Sequence, residues 1–103
     1  MHIVNDTSTL RALVLSARQA GQKIAFVPTM GNLHEGHLSL IDEAKKQADL
    51  IIASIFVNPM QFGENEDLDA YPRTFQADSD ALTERGCNIL FAPTVKEVYP
   101  NGT

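Results

Sequence analysis

The sequence has little cysteine, few cations and no long apolar run, and each shortage excludes a class of protein. A single cysteine, Cys87, excludes an internal disulfide and suits a reducing cytoplasm. Eight Lys and Arg residues against thirteen Asp and Glu give a net charge of −5, which excludes the basic surface that nucleic-acid binding requires. No apolar run approaches the ~20 residues that span a bilayer. We therefore expect a cytoplasmic protein with neither a nucleic-acid nor a membrane partner.

The rest of the composition is typical of one globular domain. The chain is 44% hydrophobic and 20% charged, and its 103 residues suffice for one core but not for two. It stops in a Pro-Asn-Gly turn beginning at Pro100, where a further helix or strand would normally follow. We therefore expect a single domain over residues 1–103 that is the N-terminal portion of a longer protein.

Extended and helical patterns alternate along the chain. Apolar runs predict strands at residues 2–4, 23–27, 49–57 and 88–92, with the second strand buried and closed by Pro28. Apolar residues at helical spacing predict three helices. The first begins at the capping side chain of Asp6 and stops at Gly21, the second covers 36–48, and the third covers 74–85 and stops at Gly86. A polar loop is predicted at 58–73.

This alternation predicts an α/β fold, a Rossmann-like parallel sheet with helices on both faces. The third strand is apolar without a break over residues 50–57, which is typical of a central parallel strand covered on both sides. Cys87 opens the last apolar run, so we interpret it as a small packing residue and not as a nucleophile.

The most informative segment is the glycine-containing turn after the second strand. It delivers His34 and His37, three residues apart, onto the start of a predicted helix. Imidazoles on one face of a first turn, beside free backbone N–H groups, suit an anionic phosphate. Gly36 leaves room for a nucleotide to pack closely. A lone histidine is more often a surface or capping residue, but two that bracket a glycine after a strand favour a nucleotide site.

A zinc site is the alternative that the histidine spacing excludes. The His-Glu-x-x-His helix of metalloproteases needs a second histidine at position 38, where this chain has Leu38. No cysteine or further histidine lies nearby in the sequence to complete a tetrahedral site.

A second polar loop follows the third strand and is expected beside the histidine turn. Ligands bind outside the carboxyl ends of parallel strands, so Asn58 and Gln61 are candidate donors to a small polar substrate. Met30 and Phe62 would form an apolar wall, although core packing and ordinary turn formation explain these residues equally well.

A set of acidic residues is interpreted mainly as a solvated surface. One of them would help to hold Mg²⁺, but the pattern does not choose which, and the metal ligand is unknown. The set comprises Glu64, Glu66, Asp67, Asp69, Asp78 and Asp80.

With these residues in place, the chain resembles the pantothenate synthetases, the AMP-forming pantoate–β-alanine ligases. The matching blocks run in order over almost the whole chain. They are residues 27–37, 54–62, 69–74, 91–93 and 99–102. The His-x-Gly-His element alone indicates only the wider nucleotidylyltransferase superfamily.

The resemblance implies an activity and a set of site residues. The family forms pantoyl adenylate and pyrophosphate from ATP and pantoate with Mg²⁺, and β-alanine then displaces AMP to give pantothenate. His37 would be the catalytic proton donor, and His34 would also face the phosphates. Gln61, with Met30 and Asn58, would bind pantoate. The ATP site would be lined by Met30, Gly31, Asn32, Leu33, His34, Glu35, Gly36 and His37.

The resemblance also implies a homodimer and a longer chain. Family members continue well beyond Thr103 with further ATP-binding residues and a C-terminal domain, so we expect little activity from this chain alone. Two other hypotheses stay open. The chain could belong to a different His-x-Gly-His nucleotidylyltransferase, or it could be a binding or dimerisation module without turnover.

Overall fold

A computed structural model of the protein describes residues 1–56 and 71–94, with side chains described at 1–56 and 74–94. Strands and helices alternate throughout these ranges, as the sequence predicts. The strands are β1 (His2–Val4), β2 (Ile24–Thr29), β3 (Leu50–Ile55) and β4 (Ile89–Phe91). The helices are α1 (Thr7–Gln19), α2 (Glu35–Gln47) and α3 (Tyr71–Glu84).

The strands form one parallel sheet in the order β1-β4-β3-β2. β3 lies between β4 and β2, and its residues from Ile51 to Ile55 are all buried. The predicted parallel sheet and the central position of this apolar strand are confirmed. The physical reason is that a strand with apolar side chains on both faces must be covered from both sides.

Helices cover both faces of the sheet, as predicted. Because successive strand residues point to opposite faces, alternate residues of β3 enter two separate clusters. Ile51, Ala53 and Ile55 pack with Ile41 of α2 and Leu82 of α3. On the other face, Ile52 packs with strand and α1 side chains, namely Val4, Ile89, Leu10, Leu13 and Val14.

The predicted glycine stops of two helices are confirmed. After α1, the Gly21 N–H donates to the carbonyl of Arg18, and the next N–H donates to the carbonyl of Ala17. After α3, the Gly86 N–H donates to Thr83 and the Cys87 N–H to Leu82. Both glycines have positive φ, 78° and 86°, the conformation that ends a helix in this way and that glycine adopts without strain.

The start of α1 is capped as the sequence predicts. Asp6 lies just before the helix with extended backbone angles, and its Oδ2 accepts the N–H of Thr9 at 2.8 Å. This bond lowers the pKa of the Asp6 carboxyl below its usual value, because the N–H favours the ionised form.

Two details of the second strand were predicted wrongly. β2 does not end at Pro28 but continues through it to Thr29, and it is not fully buried, since Phe26 is 51% exposed. Both follow from its place at an edge of the described sheet. An edge strand tolerates proline because one side of its backbone needs no partner within the sheet.

The long polar loop ends earlier than the predicted boundary of residue 73. α3 begins at Tyr71 and includes Pro72 in its first turn, where a missing N–H leaves no hydrogen bond unmade. The other predicted ends that the structure describes differ from the observed ones by no more than two residues, which is the usual scatter of helix and strand boundaries. Val57, predicted as the end of the third strand, lies outside the described residues.

Cys87 is a packing residue, as interpreted from the sequence. It is buried just before β4, and its Sγ lies 3.5 Å from the carbonyl oxygen of Ile51 and 3.3 Å from that of Ile89. Burial raises the pKa of this thiol, which keeps it in the unreactive protonated form. Within residues 1–56 and 71–94, no helix has the length and apolar character to cross a membrane.

Candidate functional site

The strands that precede the two candidate loops end side by side. Thr29 at the end of β2 pairs with Ile55 at the end of β3, and the Thr29 Oγ1 donates to the carbonyl of Ser54 at 2.8 Å. Parallel neighbours thus end together as expected, and the place of the second loop beside the histidine turn stays a prediction, because it lies outside the described residues. Asn58, Gln61 and Phe62 lie outside the described residues, so their proposed contacts with a substrate remain predictions.

The turn between β2 and α2 has an unusual backbone. Gly31 and Asn32 both have positive φ, 88° and 52°, a region that asparagine enters more readily than other side-chain-bearing residues. The Gly31 N–H donates back to the Thr29 Oγ1 at 3.2 Å. Met30 is 53% exposed at this turn. The chain thus reverses sharply and brings the start of α2 to the carboxyl edge of the sheet.

The two histidines cap the helix that they begin. The Nδ1 of His34 accepts the N–H of Gly36 at 3.0 Å, and the Nδ1 of His37 accepts the N–H of His34 at 3.2 Å. The arrangement is a reciprocal capping box, with the two ring centroids 4.1 Å apart. The capping role that the sequence left open for each histidine is therefore present.

Capping decides which ring nitrogen faces outward with a proton. Because each Nδ1 accepts a hydrogen bond, the neutral ring carries its proton on Nε2. His34 is exposed and His37 is half-buried, so the pair can offer two neighbouring Nε2–H donors to an anion. Capping and anion binding use different atoms, and one histidine can do both.

The prediction of free backbone N–H groups beside the imidazoles is wrong for Gly36 and His37. The N–H groups of Gly36 and His37 are not free, because they donate to the His34 ring and to the His34 carbonyl, the latter at 3.0 Å. The His34 ring and the His34 carbonyl satisfy these two groups without a ligand. The imidazoles remain as candidate donors to an anion at this helix start.

Gly36 makes room for the ring of its histidine neighbour. A Cβ at this position would lie 2.7 Å from Cε1 and 3.0 Å from Nδ1 of the His34 ring, so the ring would have to shift. The sequence led us to expect that the missing side chain makes room for a bound nucleotide. The structure shows an intramolecular reason, because the ring of His34 lies over Gly36.

Asp78 is an exception among the acidic residues interpreted mainly as solvated surface. It is 4% exposed, and its two oxygens accept the N–H groups of Asn32 and Leu33 at 2.8 and 2.9 Å. The interpretation as solvated surface is therefore wrong for Asp78. The sequence does carry a signal, because Asp78 follows Phe75 by three residues and precedes Leu82 by four, on the apolar face of α3.

The other acidic residues of that set differ from Asp78. Asp80 is exposed and accepts a hydrogen bond from the Gln76 amide within α3 at 2.9 Å, as a solvated surface residue would. The remaining four lie outside the described residues. They are Glu64, Glu66, Asp67 and Asp69.

Two other predicted ATP-site residues direct their side chains elsewhere. Leu33 is half-buried and packs against the core cluster between the sheet and helices α2 and α3. The Glu35 carboxylate pairs with Arg85, whose Nη2 lies 2.9 and 2.8 Å from its two oxygens, and Arg85 also pairs with Asp42. The hydrogen bond to Glu35 is the main reason that the pKa of Arg85 is raised. The ion pair with Arg85 holds the negative charge of the Glu35 carboxylate away from the two histidines.

The described side chains form no metal cage. Among residues 1–56 and 74–94, no group of three or more His, Cys, Asp or Glu residues is arranged to hold a metal ion. Both oxygens of Asp78 already accept backbone N–H groups. A metal at this edge of the sheet would therefore need ligands from outside the described side chains.

Comparison with known proteins identifies the family. The family described as pantoate-beta-alanine ligase matches residues 2–103. The pantothenate synthetase of Pseudomonas fluorescens (strain SBW25) is 60% identical over 102 residues, and that of Pseudomonas putida (strain KT2440) is 59% identical. Each match covers 99% of this chain and 36% of the relative, so the chain spans about a third of the length of these relatives.

Solved structures give the same result. The pantoate-beta-alanine ligase of Francisella tularensis, complexed with beta-gamma ATP and beta-alanine, matches with a TM-score of 0.84 and 44% identity over 99% of this chain and 39% of its own. The pantothenate synthetase of Thermus thermophilus matches with a TM-score of 0.74 and 43% identity, over 99% of this chain and 35% of its own.

Proposed function

The chain belongs to the pantoate–β-alanine ligase family, and we propose from this that it is the N-terminal ATP- and pantoate-binding domain of a pantothenate-forming enzyme. In the whole enzyme, ATP and pantoate react to give pantoyl adenylate and pyrophosphate, and β-alanine then displaces AMP. The observation that carries the proposal is the family match over residues 2–103 together with the paired histidines at the carboxyl edge of the sheet. The ATP- and β-alanine-bound relative supports the substrate classes.

In this proposal the histidine pair acts on the phosphates of ATP. The Nε2–H groups of His34 and His37 donate hydrogen bonds to phosphate oxygens and stabilise the charge that develops during adenylyl transfer, with His37 as the donor to the departing pyrophosphate. Residues 30–37 line the ATP, partly through the backbone of the turn. Gln61, with Met30 and Asn58, holds pantoate beside it.

We propose that Mg²⁺ binds together with ATP, through the phosphates. Magnesium commonly keeps several waters and binds through substrate phosphates and one or two carboxylates. The described residues fit that mode, because they form no cage of their own. When bound, the ion neutralises phosphate charge. The net charge of −5 leaves few cations to meet the triphosphate, and the proposal assigns further ones to the C-terminal part of the longer protein.

The proposal extends to the context in which the chain works. We place it in the cytoplasm, as one domain of a longer chain whose C-terminal domain completes the site, and in a homodimer. Its relatives are nearly three times as long as the matched segment, which supports a missing partner domain. A different His-x-Gly-His nucleotidylyltransferase, or a module without turnover, would behave differently in the following test.

The proposed reaction predicts that pyrophosphate release depends on pantoate. The full-length protein, given ATP and Mg²⁺, should release pyrophosphate when pantoate is added and not when unrelated carboxylic acids are added. A coupled pyrophosphate assay measures this. Equal release with unrelated acids would contradict the assignment of pantoate. Residues 1–103 alone should show weak or undetectable turnover, and robust pantothenate formation by them would show that the site is already complete.

Replacing Gly36 with alanine should impair turnover more than folding. The new Cβ displaces the His34 ring and breaks its cap, which costs ~1 kcal/mol. Alanine regains up to ~1 kcal/mol through its higher helix propensity, so the free energy of unfolding should change little. Moving a phosphate-facing ring by up to ~1 Å should slow pyrophosphate release by about 10- to 100-fold. Urea unfolding and the pyrophosphate assay measure the two effects, and an unchanged rate would show that the position of the His34 ring does not matter.

A further inference from the structure

We propose that Asp78 is a positioning residue that sets the histidine pair through the turn before it. The proposal rests on the proposed function, because it assigns to Asp78 the placement of the rings that act on ATP. Asp78 itself touches no substrate in this account. It holds the backbone of Asn32 and Leu33, and the next residue along the chain is His34.

The contact is a two-point clamp from a distant part of the sequence. Oδ2 of Asp78 accepts the Asn32 N–H at 2.8 Å, and Oδ1 accepts the Leu33 N–H at 2.9 Å. The carboxylate is 4% exposed, so water competes little for these bonds. Two bonds to consecutive peptide groups fix the direction of the chain as well as its position, and this direction decides where α2 and its two caps begin.

The clamp stabilises a backbone conformation that is unfavourable for most residues. Asn32 has a φ of 52°, a region that residues with a side chain seldom enter, and Gly31 before it has a φ of 88°. A carboxylate is suited to the task because both of its oxygens only accept hydrogen bonds. An asparagine at position 78 would keep one acceptor and direct an N–H₂ group at the second backbone N–H.

The clamp makes the histidine geometry depend on the docking of α3. Asp78 joins α3 to the turn by two hydrogen bonds, whereas Arg85, directly after α3, binds Glu35 and Asp42 of α2. Arg85 therefore joins the two helices through side chains, and Asp78 joins α3 to the backbone that precedes α2. Only the second contact acts on the residues that lead directly into His34.

The first test compares Asp78→Asn with Glu84→Gln in the full-length protein. Glu84 is an exposed residue of the same helix, so its variant removes one negative charge without touching the turn. Asp78→Asn should lower kcat for pantoate-dependent pyrophosphate release by about 10- to 100-fold, as misplacement of reacting groups by ~1 Å does. The KM values for ATP and pantoate should change by less than about threefold, and Glu84→Gln should leave both parameters near those of the unsubstituted protein.

A second control separates positioning from loss of stability. Leu10 packs on the opposite face of the sheet, so Leu10→Ala destabilises the fold without contacting the turn. At a temperature where circular dichroism shows every variant folded, Leu10→Ala should retain its kcat while Asp78→Asn does not. Equal losses of kcat in the two variants would reduce Asp78 to a structural residue and overturn the proposal.

A third readout does not depend on turnover. In ¹H–¹⁵N spectra, the amide protons of Asn32 and Leu33 should be shifted downfield and slow to exchange, and Asp78→Asn should abolish both properties for at least one of them. The ring nitrogens of His34 and His37 should shift in the same variant. Unchanged amide and imidazole signals, or an unchanged kcat, would overturn the proposal. If the unsubstituted protein shows no pantoate-dependent release, the proposed function fails, and these signals alone decide the role of Asp78.

Discussion

Replacing His37 with alanine in the full-length protein should slow pantoate-dependent pyrophosphate release by about 10²-fold, a loss of ~3 kcal/mol of transition-state stabilisation. His37 offers an Nε2–H donor beside that of His34, with the two rings 4.1 Å apart. Such a donor matters most when charge develops on the transferring phosphate, so kcat should fall more than the affinity for ATP. Single-turnover measurement of pyrophosphate release checks this.

The structure also supplies a matched control for this variant. His37 caps α2 through its Nδ1, so alanine removes a hydrogen bond of the fold together with the imidazole. Glutamine at the same third helical position can accept the His34 N–H in the usual capping-box manner. His37→Gln should therefore retain the free energy of unfolding and still lose the rate. Normal adenylation by His37→Gln would show that the rate does not depend on the imidazole of His37.

Replacing Leu90 with alanine should lower the free energy of unfolding by about 3 kcal/mol, within the range for buried leucines. Leu90 is 0% exposed on β4 and belongs to the cluster between the sheet and helices α2 and α3. The loss combines the transfer of apolar atoms back to water with a cavity that close-packed neighbours refill only in part. Urea unfolding followed by circular dichroism measures it, and a small domain has little stability to spare.

Leu15→Ala is the control for the core substitution. It deletes the same atoms from a leucine of α1 that is 57% exposed, so the free energy of unfolding should change by no more than about 0.5 kcal/mol. Similar losses from Leu90→Ala and Leu15→Ala would contradict the core that the structure describes.

Local patterns were sufficient for most of the fold. The apolar run of β3 and the helical spacing of α1 predicted their elements because periodicity is a property of neighbouring residues. The stops at Gly21 and Gly86 were predicted for a similar reason, since the αL helix end depends on one residue. The edge position of β2 was not, because the order of strands depends on contacts between distant segments.

The candidate site was also predicted only where its features depend on neighbouring residues. The spacing of His34 and His37 was enough to predict two rings on one helix face. It did not predict that the ring nitrogens accept hydrogen bonds from the backbone N–H groups beside them, because this depends on side-chain rotamers at the helix start. It also did not predict that the missing side chain of Gly36 makes room for the His34 ring.

The sequence by itself determined the alternation of strands and helices, the family resemblance and the histidine pair, because each is encoded in neighbouring residues or in the residues of a short motif. Only the tertiary structure decided the role of Asp78. This residue follows Asn32 by 46 positions, and its character changes from solvated charge to buried clamp when α3 packs against the turn. Burying a carboxylate costs free energy unless hydrogen-bond donors compensate for the lost water. The N–H groups that compensate for the burial of Asp78 lie beside it only in the folded chain.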